Sequence, residues 1–162
     1  MVAPGEDIVR RHTADSLLFA LVRTPAPGER WIDVGSGAGF PGLVLAACFP
    51  DASFTLLEPL KRRAGFLELQ AAGLGLGNAR VEARRLSEVE DASHDVAVAR
   101  ALEKPSRALR SMVRVVVSTG VAVAAVGSNE QTPADPAIQE ARLDDFGAVD
   151  SPGRFFMMTR EA

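Results

Sequence analysis

Short apolar runs alternate with amphipathic stretches along this chain, and that alternation restricts the fold more than any single motif does. The segments RWIDVG (30–35), SFTLLE (53–58), ARVEARR (79–85), DVAVARA (95–101) and GVAVAAVG (120–127) read as strands. The segments EDIVRRHTADSLLFALV (6–22), FPGLVLAACF (40–49), LKRRAGFLELQAAGLGLGN (60–78, losing its way in glycines near Gly73 to Gly77), SRALRSMVRVV (106–116) and PAIQEARLDDF (136–146) read as helices, the last with an acidic outer face. GRFFMMTR (153–160) is a final strand, most simply paired antiparallel. Strands that alternate with helices predict a doubly wound α/β fold, its sheet mostly parallel and covered on both faces. A ligand then binds at the carboxyl ends of the strands, near the point where the winding reverses. The proline–glycine connector RTPAPGE separates the first helix from the rest. The reading is one domain over 1–162, with a helix and connector over 1–28 and the Rossmann-like core over 29–162.

Composition removes several classes. No run of 18 apolar residues exists, so a membrane span is not expected. The opening MVAPGED lacks the basic start and apolar centre of a signal peptide, which predicts a cytoplasmic protein. Cys48 is the only cysteine, which excludes a disulfide or a thiolate zinc site within one chain; in LVLAACF it is expected to be buried and inert. The net charge of −3, taken alone, is poor evidence for a nucleic-acid partner. Its distribution is uneven, however. Residues 61–114 carry eleven Lys/Arg against seven Asp/Glu, a net of +4, whereas 115–153 carry one against six, a net of −5. A basic central third can present a phosphate-binding surface or be only a set of solvated helix faces. The same two readings apply to Arg107, Arg110 and Arg114, spaced to share one helix face. Trp31 is expected in the core, His12 on the apolar side of the first helix, and His94 in a loop.

The loop DVGSGAGFPG (33–42) follows the first strand and contains two overlapping patterns. Gly37, Gly39 and Gly42 spell the G-x-G-x-x-G of dinucleotide sites. Starting that fingerprint at Gly37 forces the strand through Gly35 and Ser36, and starting it at Gly35 puts Phe40 where a small residue belongs. No G-K-[ST] follows, so a Walker loop is excluded. The alternative takes Gly35, Gly37 and Gly39 as a flat loop under an amino-acid-like tail. Asp33 at the end of strand one can then meet an ammonium. Glu58 at the end of strand two can accept hydrogen bonds from two ribose hydroxyls. S-adenosylmethionine fits these two acids, with Pro41 removing one donor from the helix start.

RHTADSL, IDVGSGAGFPGLVLA, TLLEPLKRRAGFL, ARRLSEV and VARAL occur in this order. Together they resemble the bacterial small-subunit ribosomal RNA guanine-N7 methyltransferases, the GidB/RsmG family, over roughly residues 5–127. The resemblance implies that Gly35, Gly37, Gly39 and Phe40 line the adenosylmethionine site, that Glu58 holds the ribose, and that Leu86 and Ser87 border the adenine. It implies that Arg100 stands near the methyl-transfer site, that Arg62, Arg63 and Arg85 face RNA, and that His12 and Asp15 belong to the family's "RH…DS" segment. The family carries a helical stretch before that segment, and a lysine where this chain has Val126, so the resemblance implies a short or divergent member. The implied partner is small-subunit ribosomal RNA or the ribosomal particle, met by a monomer that needs no metal and no membrane.

Guanine N7 already has a free lone pair, so methylation there requires in-line positioning more than proton transfer. That agrees with a sequence showing no Ser/His/Asp set, metal cluster or clear general base. A bidentate arginine on O6 and N7 would occupy the reacting lone pair. Arg100 is therefore expected to make one bond to O6, to hold a phosphate, or simply to pair with Glu103 or Glu58. Two other readings stay open: a methyltransferase of the same fold acting on another RNA or a small molecule, and an adenosylmethionine-binding module without transfer activity.

Overall fold

The computed structural model of the chain describes residues 4–100, 104–141, 143 and 153–161. Seven strands form one sheet: β1 (Arg30–Val34), β2 (Ser53–Leu57), β3 (Ala79–Glu82), β4 (His94–Arg100), β5 (Val116–Gly127), β6 (Gln139–Ala141) and β7 (Gly153–Thr159), in spatial order β3-β2-β1-β4-β5-β7-β6. The first five pair in parallel, and β7 runs antiparallel to both β5 and β6. The winding reverses between β1 and β4. Among the described residues, four α-helices accompany the sheet: α1 (Pro4–Val22), α2 (Gly42–Cys48), α3 (Lys61–Gly73) and α4 (Pro105–Met112).

The strands' period of two sorts their side chains into two cores. Ile32, Val34, Ala97, Ala99, Ala122 and Ala124 join Leu109 and Met112 of α4 on one face. Trp31, Val96, Val98, Val121 and Val123 join Leu18 and Phe19 of α1 and Leu45 of α2 on the other. Phe54, fully buried on that second face, packs beside Trp31. Among the described residues no helix is long and apolar enough to cross a membrane.

Several expected boundaries move. β3 stops at Glu82, because Arg84 turns back to bond the Glu82 carbonyl and carboxylate, and a 3-10 turn follows at Leu86–Glu88. α3 ends at Gly73, where the glycines begin, as the sequence leads one to expect. α4 stops at Met112, and Arg114 lies in a separate 3-10 turn (Val113–Val115) leading straight into β5.

The helix expected over 136–146 is not formed. Gln139–Ala141 is instead strand β6, while 142 and 144–146 fall outside the described residues. Without β6 the backbone of β7 would be a bare sheet edge; pairing satisfies it, and Arg154 of β7 grips Glu140 through both carboxylate oxygens. Tertiary pairing here overrides a local helical pattern. Cys48 is exposed at the end of α2, not buried. His94 opens β4 at 4% exposure, not in a loop. Its ring bridges Ser93 Oγ (2.9 Å) and Thr55 Oγ1 (3.1 Å), and burial pulls its pKa down to about 4.

Candidate active site

The carboxyl ends of β1 and β2 build the site's floor. Val34 pairs with Leu57, and beyond them Gly35 and Ser36 both donate to the Leu57 carbonyl, at 2.9 and 3.0 Å. Gly35, Gly37 and Gly39 all have positive φ (+74°, +58° and +97°), a conformation that side chains disfavour and glycine adopts freely. A side chain at Gly39 would also collide with Leu43, its Cβ 2.3 Å from Cδ1.

Asp33 sits beneath this loop at 2% exposure. Its Oδ2 accepts from Ser36 Oγ (2.6 Å) and from the Gly42 amide (2.9 Å), so it ties the loop to the start of α2. Its Oδ1 is buried without a hydrogen-bond partner in the protein. Burial pushes the carboxyl up to about 6, opposed by the Ser36 and Gly42 bonds and aided by the charge of Glu58. The bonded oxygen is thus structural, and Oδ1 alone is unassigned. Glu58, at 3% exposure, accepts from the Gly37 amide through Oε2 (3.1 Å) and from the Leu60 amide through Oε1 (3.0 Å). Two buried carboxylates therefore hold one glycine loop, from β1 and from β2.

Leu86 and Ser87 lie on the 3-10 turn past the carboxyl end of β3. Leu86 packs against the core and Ser87 is exposed. Arg114 holds that stretch by donating to the Leu86 and Val89 carbonyls (2.7 and 2.9 Å) and pairing with Asp91.

Arg100 is the last residue of β4. It pairs neither with Glu58 nor with any other residue near the glycine loop's floor, and Glu103 falls outside the described residues. Its Nη2 donates to Asp15 Oδ2 (2.9 Å) and to His12 Nδ1 (2.7 Å), both on α1. The His12 ring in turn packs on Phe40 of the loop, centroids 5.4 Å apart. Sequence reasoning placed His12 and Asp15 in one motif but did not bring them to Arg100, 88 and 85 positions away respectively.

The cations divide by position. Arg62, Arg63 and Arg85 are exposed and, among the described residues, form no side-chain hydrogen bond or ion pair. The same holds for Lys61 and Lys104, which sequence reasoning did not place at the site, and for Arg107, which it left open between a phosphate-binding and a solvated face. Lys61, Arg62 and Arg63 follow β2, Arg85 follows β3, and Lys104 and Arg107 follow β4, so all six stand at the carboxyl edge of the sheet. Elsewhere several arginines are paired with carboxylates: Arg23 with Glu29, Arg30 with Asp95, Arg80 and Arg84 with Glu82, Arg110 with Asp135. The expected Arg107–Arg110–Arg114 face is therefore broken up, with only Arg107 unpaired. Val126 is buried in the core and adds no charge. Among the described residues no group of three or more His, Cys, Asp or Glu could hold a metal ion.

Solved structures share this architecture. A SAM-dependent methyltransferase from Aquifex aeolicus superposes with a TM-score of 0.67 at 15% identity, over 98% of each chain. MtNAS, solved in complex with S-adenosylmethionine, gives 0.74 at 16% identity, over 94% of this chain and 63% of the other. At such identities the likeness is one of fold, the Rossmann-like class I methyltransferase fold. Sequence narrows the class. The family model for rRNA small subunit methyltransferase G matches residues 2–146. The ribosomal RNA small subunit methyltransferase G of Clavibacter michiganensis subsp. michiganensis is 40% identical over 144 residues, 86% of this chain. The chain belongs to the rRNA small subunit methyltransferase G (GidB) family. It spans 66% of that relative's length, just under two thirds.

Proposed function

We propose that this chain is a cytoplasmic S-adenosylmethionine-dependent methyltransferase that modifies N7 of a guanine in small-subunit ribosomal RNA, free or within the ribosomal particle. The observation that carries the reading is the glycine loop fixed between buried Asp33 and Glu58, on the same sheet edge as six cations without a partner among the described residues. The reading takes the chain as a monomer that acts without a metal.

The residues fit the cofactor's chemistry. Positive φ at Gly35, Gly37 and Gly39 keeps Cβ atoms off the loop surface. Each Glu58 oxygen has one backbone donor and can accept one more bond, as a ribose diol requires. Asp33 Oδ1 is an acceptor without a donor, suited to an ammonium. Leu86 and Ser87 stand past β3 for the adenine, and Phe40 for the loop's far side. Bound there, adenosylmethionine supplies a methyl group on a cationic sulfur. The chain's own task is alignment: Arg100 offers hydrogen bonds that leave guanine N7 free, and Arg62, Arg63 and Arg85, with their unpaired neighbours, hold phosphates.

Two outcomes follow. Glu58→Ala should weaken adenosylhomocysteine binding by about 1–3 kcal/mol, the scale of hydrogen bonds to charged groups. Calorimetry measures this, with NAD as a ligand that should not bind at all; measurable NAD affinity or an unchanged variant counts against the site. Methyl transfer from labelled cofactor to small-subunit particles and to naked RNA should fall steeply with salt, with a slope matching about 2–4 released phosphate contacts. Mass spectrometry should then find the label on guanine N7. Cofactor binding without transfer to either substrate at any salt would overturn the RNA reading.

A further inference from the structure

His12 and Asp15 have no task in the methyl-transfer reading, yet both reach from α1 to the end of β4. They are three residues apart on one helix face and meet a single nitrogen, Nη2 of Arg100, at 2.7 and 2.9 Å. A guanidinium only donates, so His12 Nδ1 must be the acceptor. Neutral His12 then carries its proton on Nε2. Nη2 has two hydrogens, and these two partners take both. Nη1 and Nε have no partner among the described residues.

The consequence is geometric. Arginine recognises planar ligands through two forks, one made of Nε and Nη2, the other of Nη1 and Nη2. Both forks include Nη2. With its hydrogens spent, neither fork is complete, and Arg100 can give only single bonds. An arginine free to offer a fork would grip guanine at O6 and N7 together, the commonest specific arginine–base contact. Such a grip would bury the lone pair that has to be methylated. We propose that His12 and Asp15 are positioning residues that disable the bidentate grip of Arg100, which rests on the methyl-transfer reading above, and that His12 also ties this arginine to the glycine loop by packing on Phe40.

The test compares variants that keep the acceptors (His12→Asn, Asp15→Asn) with variants that remove them (His12→Phe, Asp15→Leu). His12→Phe retains a ring against Phe40, which separates the hydrogen bond from the packing. Removing the acceptors should lower kcat with small-subunit particles by at least about tenfold, because the base is held in an unreactive pose. KM for the particle should stay level or fall, and the adenosylhomocysteine Kd should stay within about twofold. The acceptor-keeping variants should recover most of kcat. An unchanged kcat, or a KM that rises as for any lost contact, would overturn the proposal.

A second readout needs no activity. Nitrogen-15 NMR of the ring nitrogens should show His12 protonated on Nε2. His94, the other histidine of the chain, supplies the opposite case. Its neighbour Ser93 Oγ donates to the Glu90 carbonyl (2.7 Å), so His94 Nδ1 must be the donor to that hydroxyl. The two rings should therefore show opposite tautomers. His12 protonated on Nδ1 would overturn the clamp whatever the activity. If the unaltered chain transfers no methyl group to any ribosomal RNA, the functional reading fails, and the tautomer alone decides whether Arg100 is clamped.

Discussion

Gly42→Ala should destabilise the protein by about 3 kcal/mol, because the new methyl group has nowhere to go. A Cβ at Gly42 would lie 2.2 Å from Leu56 Cδ2, 2.7 Å from Asp33 Oδ2 and 3.0 Å from Asp33 Cβ. Leu56 is fully buried between α2, β2 and α3, so it has little room to turn aside. Asp33 is held by the Gly42 amide itself, so the carboxylate can retreat only by giving up that bond. In a domain of this size the loss corresponds to a fall in Tm of roughly 6–12 °C. Thermal unfolding followed by circular dichroism measures it. A variant that melts within a degree or two of the parent would show that α2 can lift from the sheet at little cost, and that the floor of the loop is softer than the contacts imply.

Gly42 also explains why the sequence left two cofactor patterns in competition. The third glycine of a dinucleotide fingerprint exists for close helix–strand packing, and Gly42 has that task here irrespective of the ligand. The G-x-G-x-x-G spelling was therefore a true signal about packing and carried no information about the cofactor. In the sequence it is Glu58 that favours adenosylmethionine, and it was legible because an acid closing strand two is visible as a residue type at a strand end. The parallel strands β1, β2 and β4 were legible for the same kind of reason, as short apolar runs bounded by glycine, proline or charge. The segment at 139–141 was not, since its strand character comes from β7 across the sheet and not from its own residues. Arg100 was readable as a residue at the end of a strand. Its partners on α1 were not, because nothing local records a contact across 85 positions. The sorting of paired from unpaired arginines was equally hidden: the sequence shows a basic third, but only the fold shows which guanidinia already have carboxylates.

Asp33→Asn should separate stability from binding and move them in opposite directions. In the folded chain Asp33 titrates near 6, against an ordinary value of 3.8, with burial as the main cause. Between those two pH values the folded state keeps a proton that the unfolded chain has released. Stability due to this group therefore falls as pH rises from about 4 to about 6, by about 3 kcal/mol in total, and stays constant above. Asparagine does not titrate. Its carbonyl can replace Oδ2 as acceptor for Ser36 and Gly42, while its amide, where Oδ1 stood, carries a cost that does not change with pH. The variant's stability relative to the parent should then improve from pH 4.5 to pH 7.5 and level off, as denaturant titrations at several pH values would show. Cofactor affinity should go the other way. A cationic ammonium beside Asp33 favours the carboxylate, so binding to the parent should release a proton near pH 6 and tighten as pH rises through that range. The variant should bind weakly and show no such dependence. Calorimetry with adenosylhomocysteine in two buffers of different ionisation heat counts the released protons directly. A stability difference that is the same at pH 4.5 and 7.5, or proton release equal in both proteins, would mean that Asp33 is not the charged floor of the site and that its oxygen without a partner faces nothing that binds.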